Sequence, residues 1–402
     1  MPAHEEWCLQ TFGFDKSLMR FPLAMYLGQH LNGIEWTPYT RYVELWVNQE
    51  YRGLYILTEK IGRDKNRIDI KKLDAESENL SGGYILEENT KTLSDIELEQ
   101  QFFTGKGNVP IGFKYPKAKN VTPAQKEWIM NYMNEFETAL WNDNFKDPIN
   151  GYQKYIDTES FIDWTILIEH SADIDHGNNI SNYLHKDMDK KLKMSAPWDF
   201  DRAYGSESYS STSGNYVRLI HWYGRLAEDE CYLAQYKARM LELKSLFDLI
   251  PEILDANLVQ LENAGVIERE TQRWAELPSW TGCETHEDEI LFLKNWVKDR
   301  TIWCYNDLDI HTGIITPESG DIFSCFYSGK GVIHLSYVSQ ESSTLKIQLY
   351  SLNGISLSQQ TAEIHPGENN IQLQAHDLAN GIYILRLSSD AGFVATKKIA
   401  LN

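Results

Sequence analysis

The stretch Ala196-Pro-Trp-Asp-Phe-Asp-Arg-Ala-Tyr-Gly205 places two carboxylates one residue apart, directly after a strand-like run and beside a Trp and a Phe. Charge in such surroundings suggests a metal. Side chains of an extended chain alternate with period two, so Asp199 and Asp201 are expected on one face, both able to reach a hard cation through oxygen. The competing reading is a polar turn, since Asp is common where strands end. Upstream, Ser181-Asn-Tyr-Leu-His185 and Leu192-Lys-Met-Ser-Ala-Pro197 read as two strands joined by a polar turn at Asp187-Met-Asp-Lys-Lys191. Such a hairpin brings Asp175 and Asn182, before and on its first strand, toward Asp199 after its second.

Composition narrows the function classes. The chain has 402 residues, 42% of them hydrophobic, enough for one large or two moderate cores. Its formal net charge of -20 argues against a nucleic-acid backbone as main partner, because phosphate neutralisation needs clustered Lys and Arg. A divalent cation would have to offset the repulsion if the ligand were anionic, as a nucleotide is. No apolar run approaches the roughly 20 residues that span a bilayer, and Met1-Pro2-Ala3-His4-Glu5-Glu6 has no basic start or apolar core of a secretory signal. Cys8, Cys231, Cys283, Cys304 and Cys325 form no CxxC pair and no short spacing to His, which argues against zinc. The odd count leaves a free thiol or an external partner; Cys283 with Cys231 or Cys304 is one pairing open in an oxidising compartment.

Texture changes near residue 310. Before it, Tyr42–Val47 and Gly53–Leu57 read as strands and give way to long helical patterns, an α+β domain. Thr122-Pro123-Ala124-Gln125 starts a helix, with Thr as N-cap, Pro in first position and Gln as capping-box partner. Trp128, Tyr132, Phe136 and Leu140 then follow at steps of four, a core stripe. Asp157-Thr-Glu-Ser-Phe161 opens a second helix toward His170, and the segments 231–250, 251–264 and 287–308 read as a helical subdomain in which Trp296, Arg300 and Trp303 share helical spacing. After Thr316-Pro317 the period becomes two: Val332–Val338, Thr344–Tyr350, Asn370–Leu373, Gly381–Leu387 and Phe393–Ile399 are short strands between turns such as Asn353-Gly354 and Pro366-Gly367. The expected organisation is therefore residues 1–310, then a small all-β immunoglobulin-like sandwich over 317–402, without the clustered titratable groups of an active site.

Several motifs in order carry a family resemblance. Asn48-Gln-Glu-Tyr-Arg-Gly-Leu-Tyr-Ile-Leu-Thr-Glu59-Lys60, Asp64-Lys65-Asn66-Arg67-Ile68, Ser81-Gly-Gly-Tyr-Ile-Leu86, Phe113-Lys-Tyr-Pro116 and Pro197-Trp-Asp-Phe-Asp201 resemble the spore-coat protein H (CotH) kinase family, an atypical relative of protein kinases, from about Glu6 to Leu308. Leu349-Tyr-Ser-Leu-Asn-Gly354, Leu378-Ala-Asn-Gly-Ile-Tyr383 and Lys398-Ile-Ala-Leu401 resemble the C-terminal sorting domain of the Bacteroidetes type IX (Por) secretion system.

The resemblance implies a protein-kinase-like fold, ATP and Mg2+ as cofactors, and phosphorylation of Ser or Thr on secreted or surface proteins. Phosphoryl transfer needs a cation on the phosphates, metal ligands, and a carboxylate that positions the attacking hydroxyl. Kinases order these parts as a catalytic Asp, an Asn, a hairpin, then a metal-binding Asp followed by Phe. Carried over, Asp175 positions the hydroxyl, Asp199 is the principal metal ligand, Asn182 serves the second metal position, and Asp201 is in reserve. Asp173 competes with Asp175, and Asn178 or Asn179 with Asn182. His170 and His176, which flank this loop, read as structural histidines. On the nucleotide side, Lys60, Lys65, Arg67 and Arg63 crowd the stretch after Glu59, which would orient one of them; Lys114 is a further candidate. Leu86 is followed by Glu87 where some relatives carry Lys.

The family's usual strand-rich segment before Trp7 is missing from this chain, which raises the expectation of a shortened start. A sorting tail implies export through the periplasm, the type IX machinery as partner, and a secreted or cell-surface location. The second function class is a catalytically inactive surface binding or adhesion protein on the same scaffold. A third, a glycan-active enzyme, would use Trp198, Tyr204 and Tyr209 as an aromatic platform.

Overall fold

Helical and strand periodicities separate in the structure as they do along the sequence. The computed structural model describes residues 1–89, 93–207, 210–277, 279–308, 323–327, 332–339, 342–351, 356–374, 378, 381–389 and 394–401. It divides into two units, Met1–Leu308 and Asp309–Asn402. In chain order the first runs β1 (Trp7–Gln10), α1 (Arg20–Gly28), β2 (Thr40–Val47), β3 (Glu50–Glu59), β4 (Tyr84–Asn89), α2 (Asp95–Gln100), β5 (Phe102–Phe103), β6 (Pro110–Tyr115), α3 (Pro123–Leu140), α4 (Thr158–Ser171), α5 (Ile174–Gly177), β7 (Ile180–Lys186) and β8 (Leu192–Met194). Helices follow: α6 (His221–Ala227), α7 (Glu230–Glu242), α8 (Lys244–Asp248), α9 (Ile250–Asn263), α10 (Val266–Arg273) and α11 (His286–Asp307).

Two antiparallel sheets carry the strands of this unit. One has the order β1-β3-β2, and the other β5-β6-β4-β7-β8. In the larger sheet the register sets Glu87 opposite Tyr183 and Glu88 opposite Asn182. Alternation along the strands sends these neighbours to opposite faces. Tyr183 joins Ile61, Ile68, Ile70, Ile85 and Ala196 in an apolar cluster, while Asn182 turns to the helical side and contacts His176.

Helix α3 begins as expected: Thr122 accepts from Gln125 N–H, and the Gln125 side chain accepts from Thr122 N–H. Its buried face runs Gln125, Ile129, Met133, Phe136, Leu140. Of the stripe read from sequence, Phe136 and Leu140 are core, but Trp128 and Tyr132 are half-buried. Steps of four drift around a helix of 3.6 residues per turn, so a stripe so spaced leaves the core at one end. The two rings there carry the Lys186 ammonium, 5.4 and 4.9 Å from their centroids.

Helix α4, N-capped by Asp157, is buried along most of its length and ends at Ala172 in the left-handed conformation. Its Glu169 carboxylate accepts from the backbone N–H groups of Tyr216, Val217 and Arg218 and from Arg300 Nη2 at 3.0 Å. Arg300, on α11, also donates to the carbonyls of Glu169, Thr212 and Gly214. This pair pins the loop that follows the Asp-Phe-Asp motif. Glu169→Leu strands a buried guanidinium and three N–H groups, so it is expected to destabilise by about 3–5 kcal/mol. Urea denaturation of the variant against wild type measures this; an unchanged midpoint would remove the clamp.

The second unit has strands β9 (Phe323–Tyr327), β10 (Val332–Ser339), β11 (Ser343–Ser351), β12 (Ser356–Ile364), β13 (Gly367–Gln374), β14 (Gly381–Ser389) and β15 (Val394–Leu401). They form sheets ordered β13-β10-β9 and β12-β11-β14-β15. Alternate residues of both, including Ile333, Leu335, Ile347, Leu349, Leu373 and Leu385, share one core. Strands β9 and β12 were not read from sequence; β12, Ser-Leu-Ser-Gln-Gln-Thr-Ala-Glu-Ile, lacks apolar alternation along most of its length. Gly367, at φ +102°, supports the expected turn after Pro366, whereas Asn353-Gly354 lies outside the described residues. No helix among the described residues is long and apolar enough to cross a membrane. Cys8, Cys231, Cys283 and Cys304 are free thiols, so the pairings left open for Cys283 are not formed.

Candidate active site

The site assembles where α4 stops. After Ala172 the Asp173 carboxylate caps the single turn α5: its Oδ1 accepts from the N–H groups of Asp175 at 3.0 Å and His176 at 3.3 Å, and meets His176 Nδ1 at 2.7 Å. This capping role, with full burial, distinguishes Asp173 from Asp175, whose Oδ1 accepts from Arg202 Nη1 at 2.7 Å. Arg202 also donates to Glu207 through Nε. Motif order along the chain gives Arg202 no role, although it directly follows the acidic pair.

Asn182 lies on β7, buried, and its Nδ2 donates to Glu88 Oε2 at 2.7 Å and to the His176 carbonyl at 2.9 Å. Its Oδ1 is buried without a hydrogen-bond partner. Asn178 is exposed and bonds the Ile174 carbonyl, and Asn179, at φ +56°, contacts His221; neither projects an oxygen of this kind. Burial pushes the Glu88 carboxyl up to about 7, against the opposing effects of Asn182 and His176.

The geometry of the Asp-Phe-Asp motif differs from the extended strand expected. Strand β8 ends at Met194, Pro197 lacks the N–H a ladder requires, and Asp199 adopts φ +70°. The alternation argument for Asp199 and Asp201 therefore does not apply. Asp199 instead accepts from Ser181 Oγ at 2.8 Å, and the buried Phe200 ring packs 4.5 Å from His176. Left-handed backbone at Ala172, Asn179, Ser181, Asp199 and Tyr204 concentrates strain around these side chains, a hallmark of functional loops. The segment after Asp201 is tied down by the buried Arg20, which pairs with Asp15 and Glu289 and donates to the Tyr204 carbonyl.

The acids are near enough to act on one another's ionisation. Burial, then the charges of Asp199, Asp173 and Asp175, push Asp201 up to about 7. For His176 burial favours the neutral ring, yet Asp173 in contact, with Asp199 and Asp175 beyond, outweighs it and raises the imidazole above its usual value. His170 is different: it stacks on Phe247 and bonds Thr301, and burial together with Arg300 lowers it to about 3. Its unfolded value is about 6.5. The sign follows: a depressed folded value means the stability from neutral His170 is fully present above about 6.5 and lost as pH falls toward 3. Between pH 7 and 5 wild type should lose about 2 kcal/mol more than His170→Gln, read by denaturant titrations at both pH values. Equal losses would count against it.

Of the nucleotide-side cations, Lys60, Arg63, Arg67 and Lys114 line one cavity of about 460 Å3 together with Lys117 and Lys119. Lys65 is exposed on the adjoining turn and is not part of the lining. Glu59 does not orient Lys60: successive residues leave a strand on opposite sides, so Glu59 is buried on Tyr39 N–H at 3.0 Å while Lys60 pairs with Glu6 at 3.2 Å. Arg67 spends Nη1 and Nη2 on the carbonyls of Lys60 and Glu6. Lys114 Nζ lies 5.3 Å from the Tyr183 ring, whose hydroxyl donates to Glu87 and whose ionisation is opposed first by burial, then by Glu87 and Asp199. Tyr183 thus links Lys114 on the basic cavity to Glu87. Tyr204 is fully buried and offers no sugar platform, Trp198 is half-buried and packs edge-on to Phe21, and Tyr209 lies outside the described residues.

Among the described residues no group of three or more His, Cys, Asp and Glu is arranged to hold a metal. Magnesium is commonly held by one or two carboxylates with substrate phosphates completing its shell, so a kinase-type site requires no such cage. The donors present, above all the unpartnered Asn182 oxygen together with Asp199 and Asp201, suit a hard cation.

Comparison with curated proteins returns no match. Residues 329–402 match the secretion system C-terminal sorting domain. Residues 1–304, about three quarters of the chain, match the CotH kinase protein family, and the chain belongs to that family.

Proposed function

We propose that the first unit transfers the terminal phosphoryl group of ATP, with Mg2+, to Ser or Thr hydroxyls of exported proteins, and that the sorting domain hands the chain to the type IX secretion machinery for display at the cell surface. What supports this reading is the set of contacts around His176: Asn182, whose Oδ1 has no partner, donates to its carbonyl, Phe200 next to Asp199 packs on its ring, and Asp175 directly precedes it. Bound Mg2+ would supply charge neutralisation across the phosphates. Asp199 and Asn182 Oδ1 would hold it, with Asp201 in reserve.

The chain's own residues do the rest. Asp175 accepts a hydrogen bond from the acceptor hydroxyl, aligns its oxygen for attack and takes its proton as the new P–O bond forms and the bond from the terminal phosphorus to the bridging oxygen breaks, releasing ADP. Arg202 fixes the direction of the Asp175 carboxylate through its bond to Oδ1. Lys114 and Lys60, on the basic cavity, attract the polyphosphate into an otherwise acidic protein. Asp173, whose Oδ1 caps α5 and meets His176, orients the loop, and its Oδ2 is buried without a partner.

Incubation of the purified chain with γ-labelled ATP, Mg2+ and dephosphorylated casein tests the reading. Labelled Ser or Thr that disappears with EDTA is expected, together with a thermal shift that needs both nucleotide and Mg2+; at 100 times the dissociation constant the stabilisation amounts to about 2.7 kcal/mol. Neither label nor shift would leave the inactive surface-binding reading.

A further inference from the structure

We propose that Glu88 is a positioning residue: it sets which way the Asn182 amide faces and so presents Asn182 Oδ1 to the cation. The inference rests on the phosphotransfer reading above, and it explains a buried carboxylate that the reaction does not otherwise use.

A carboxamide has two N–H hydrogens on one side and an acceptor oxygen on the other. In Asn182 both hydrogens are taken, by Glu88 Oε2 at 2.7 Å and the His176 carbonyl at 2.9 Å. Both neighbours face the amide with acceptor oxygens. Rotating it by half a turn would set Oδ1 against them and lose both bonds, so the network itself decides the orientation. The oxygen is left buried with no hydrogen-bond partner. Such an orphan is costly unless something absent from the protein alone completes it.

The fold makes the arrangement specific. Glu88 stands opposite Asn182 in the β4–β7 ladder, and the register shifts immediately afterwards, between Glu88 and Asn89. The next residue pair therefore no longer continues the same ladder, and the Glu88–Asn182 pair closes its regular part. Glu88 is 1% exposed and Asn182 also 1%, so water does not replace the missing acceptor if Glu88 is removed. Burying a carboxylate without a cation in contact opposes folding. The hydrogen bond of Glu88 goes instead to the neutral amide of Asn182. Asp173 supports the second contact, because it caps the turn whose His176 carbonyl accepts the other hydrogen.

The experiment titrates Mn2+ into the full chain in the presence of a non-hydrolysable ATP analogue, read by electron paramagnetic resonance, with analogue binding also measured in EDTA. Glu88→Met, which keeps the volume and removes the acceptor, is expected to weaken Mn2+ binding about 10–100-fold and leave metal-free analogue binding unchanged. Glu88→Gln, whose amide oxygen still accepts from Asn182 Nδ2, should restore most of the affinity. Asn182→Ala should match the loss in Glu88→Met, and the double variant should lose no more than either single. Additive losses, or wild-type affinity in Glu88→Met, would overturn the assignment while leaving the kinase reading intact. Should Glu88→Met fail to fold, Glu88→Ala takes its place in the same cycle: a shared, non-additive loss supports the assignment, and additive losses or wild-type affinity overturn it. Absence of Mn2+ binding by wild type would overturn both readings together.

Discussion

Asp199→Ala is expected to abolish Mg2+-dependent nucleotide binding, reducing the affinity for the Mg–nucleotide pair by more than about 100-fold, since loss of partners one shell further out already costs about 10–100-fold. Asp199 is the carboxylate that Ser181 holds in place, at the end of the segment anchored by Phe200 against His176. The neighbouring acids differ: Asp173 caps α5 through Oδ1 while its Oδ2 is buried without a partner, Asp175 is bound by Arg202, and Asp201 is pushed toward protonation. Because Asp199 occupies left-handed backbone, alanine also adds about 1–2 kcal/mol of strain. Asp199→Gly separates the two effects. It relieves the strain and should remain as stable as wild type while binding no better than alanine. Isothermal titration of the nucleotide with Mg2+ and with EDTA, paired with thermal melts, reads both; unaltered Mg2+-dependent affinity in either variant would sink the metal assignment.

The second large effect separates binding from chemistry. In Asp175→Asn the carboxylate loses its charge but keeps its shape and an oxygen for Arg202, so the nucleotide affinity should stay within about twofold. Phosphoryl transfer should fall by about 10²–10⁴-fold, the usual contribution of a positioned proton acceptor. Asp173→Asn is the informative companion, because the two positions compete for the role in sequence. Asparagine keeps the cap on α5 but removes the charge that faces His176, so loss of stability should accompany any loss of rate. A stable Asp173→Asn with the larger rate loss would exchange the two assignments. Single-turnover label transfer, with the melting temperature recorded on the same samples, decides between them.

Local patterns were legible where neighbouring residues dictate structure. The α3 capping box, the β7–β8 hairpin with its polar turn, and most strands of the second unit depend on residues a few positions apart, and they formed as read. The order of Asp175, Asn182 and Asp199 was legible for the same reason, since it is an order along the chain. Elsewhere distant contacts overrode the local signal. The residues around Asp199 look like a strand, but Asp199 turns to φ +70° where Phe200 packs on the His176 ring, distant in sequence. Glu59 looks placed to orient one of the cations that follow it, but its carboxylate accepts from Tyr39 N–H while Lys60 pairs with Glu6.

By itself the sequence determined that the chain is α+β followed by β, that it belongs with the CotH kinases, and which acids arrive in what order. These properties are written in periodicity, turn chemistry and motif order, all carried by residues near one another in the chain. Tertiary structure alone decided which side chains face the site. It gave Asp173 to a helix cap and Asp175 to Arg202, put Lys114 rather than Lys65 on the basic cavity, and set Glu88 against Asn182 across a ladder joining residues 94 positions apart. The physical reason is that a carboxylate's role depends on which donors and charges surround it after folding, and strand register and burial choose those partners from far along the chain.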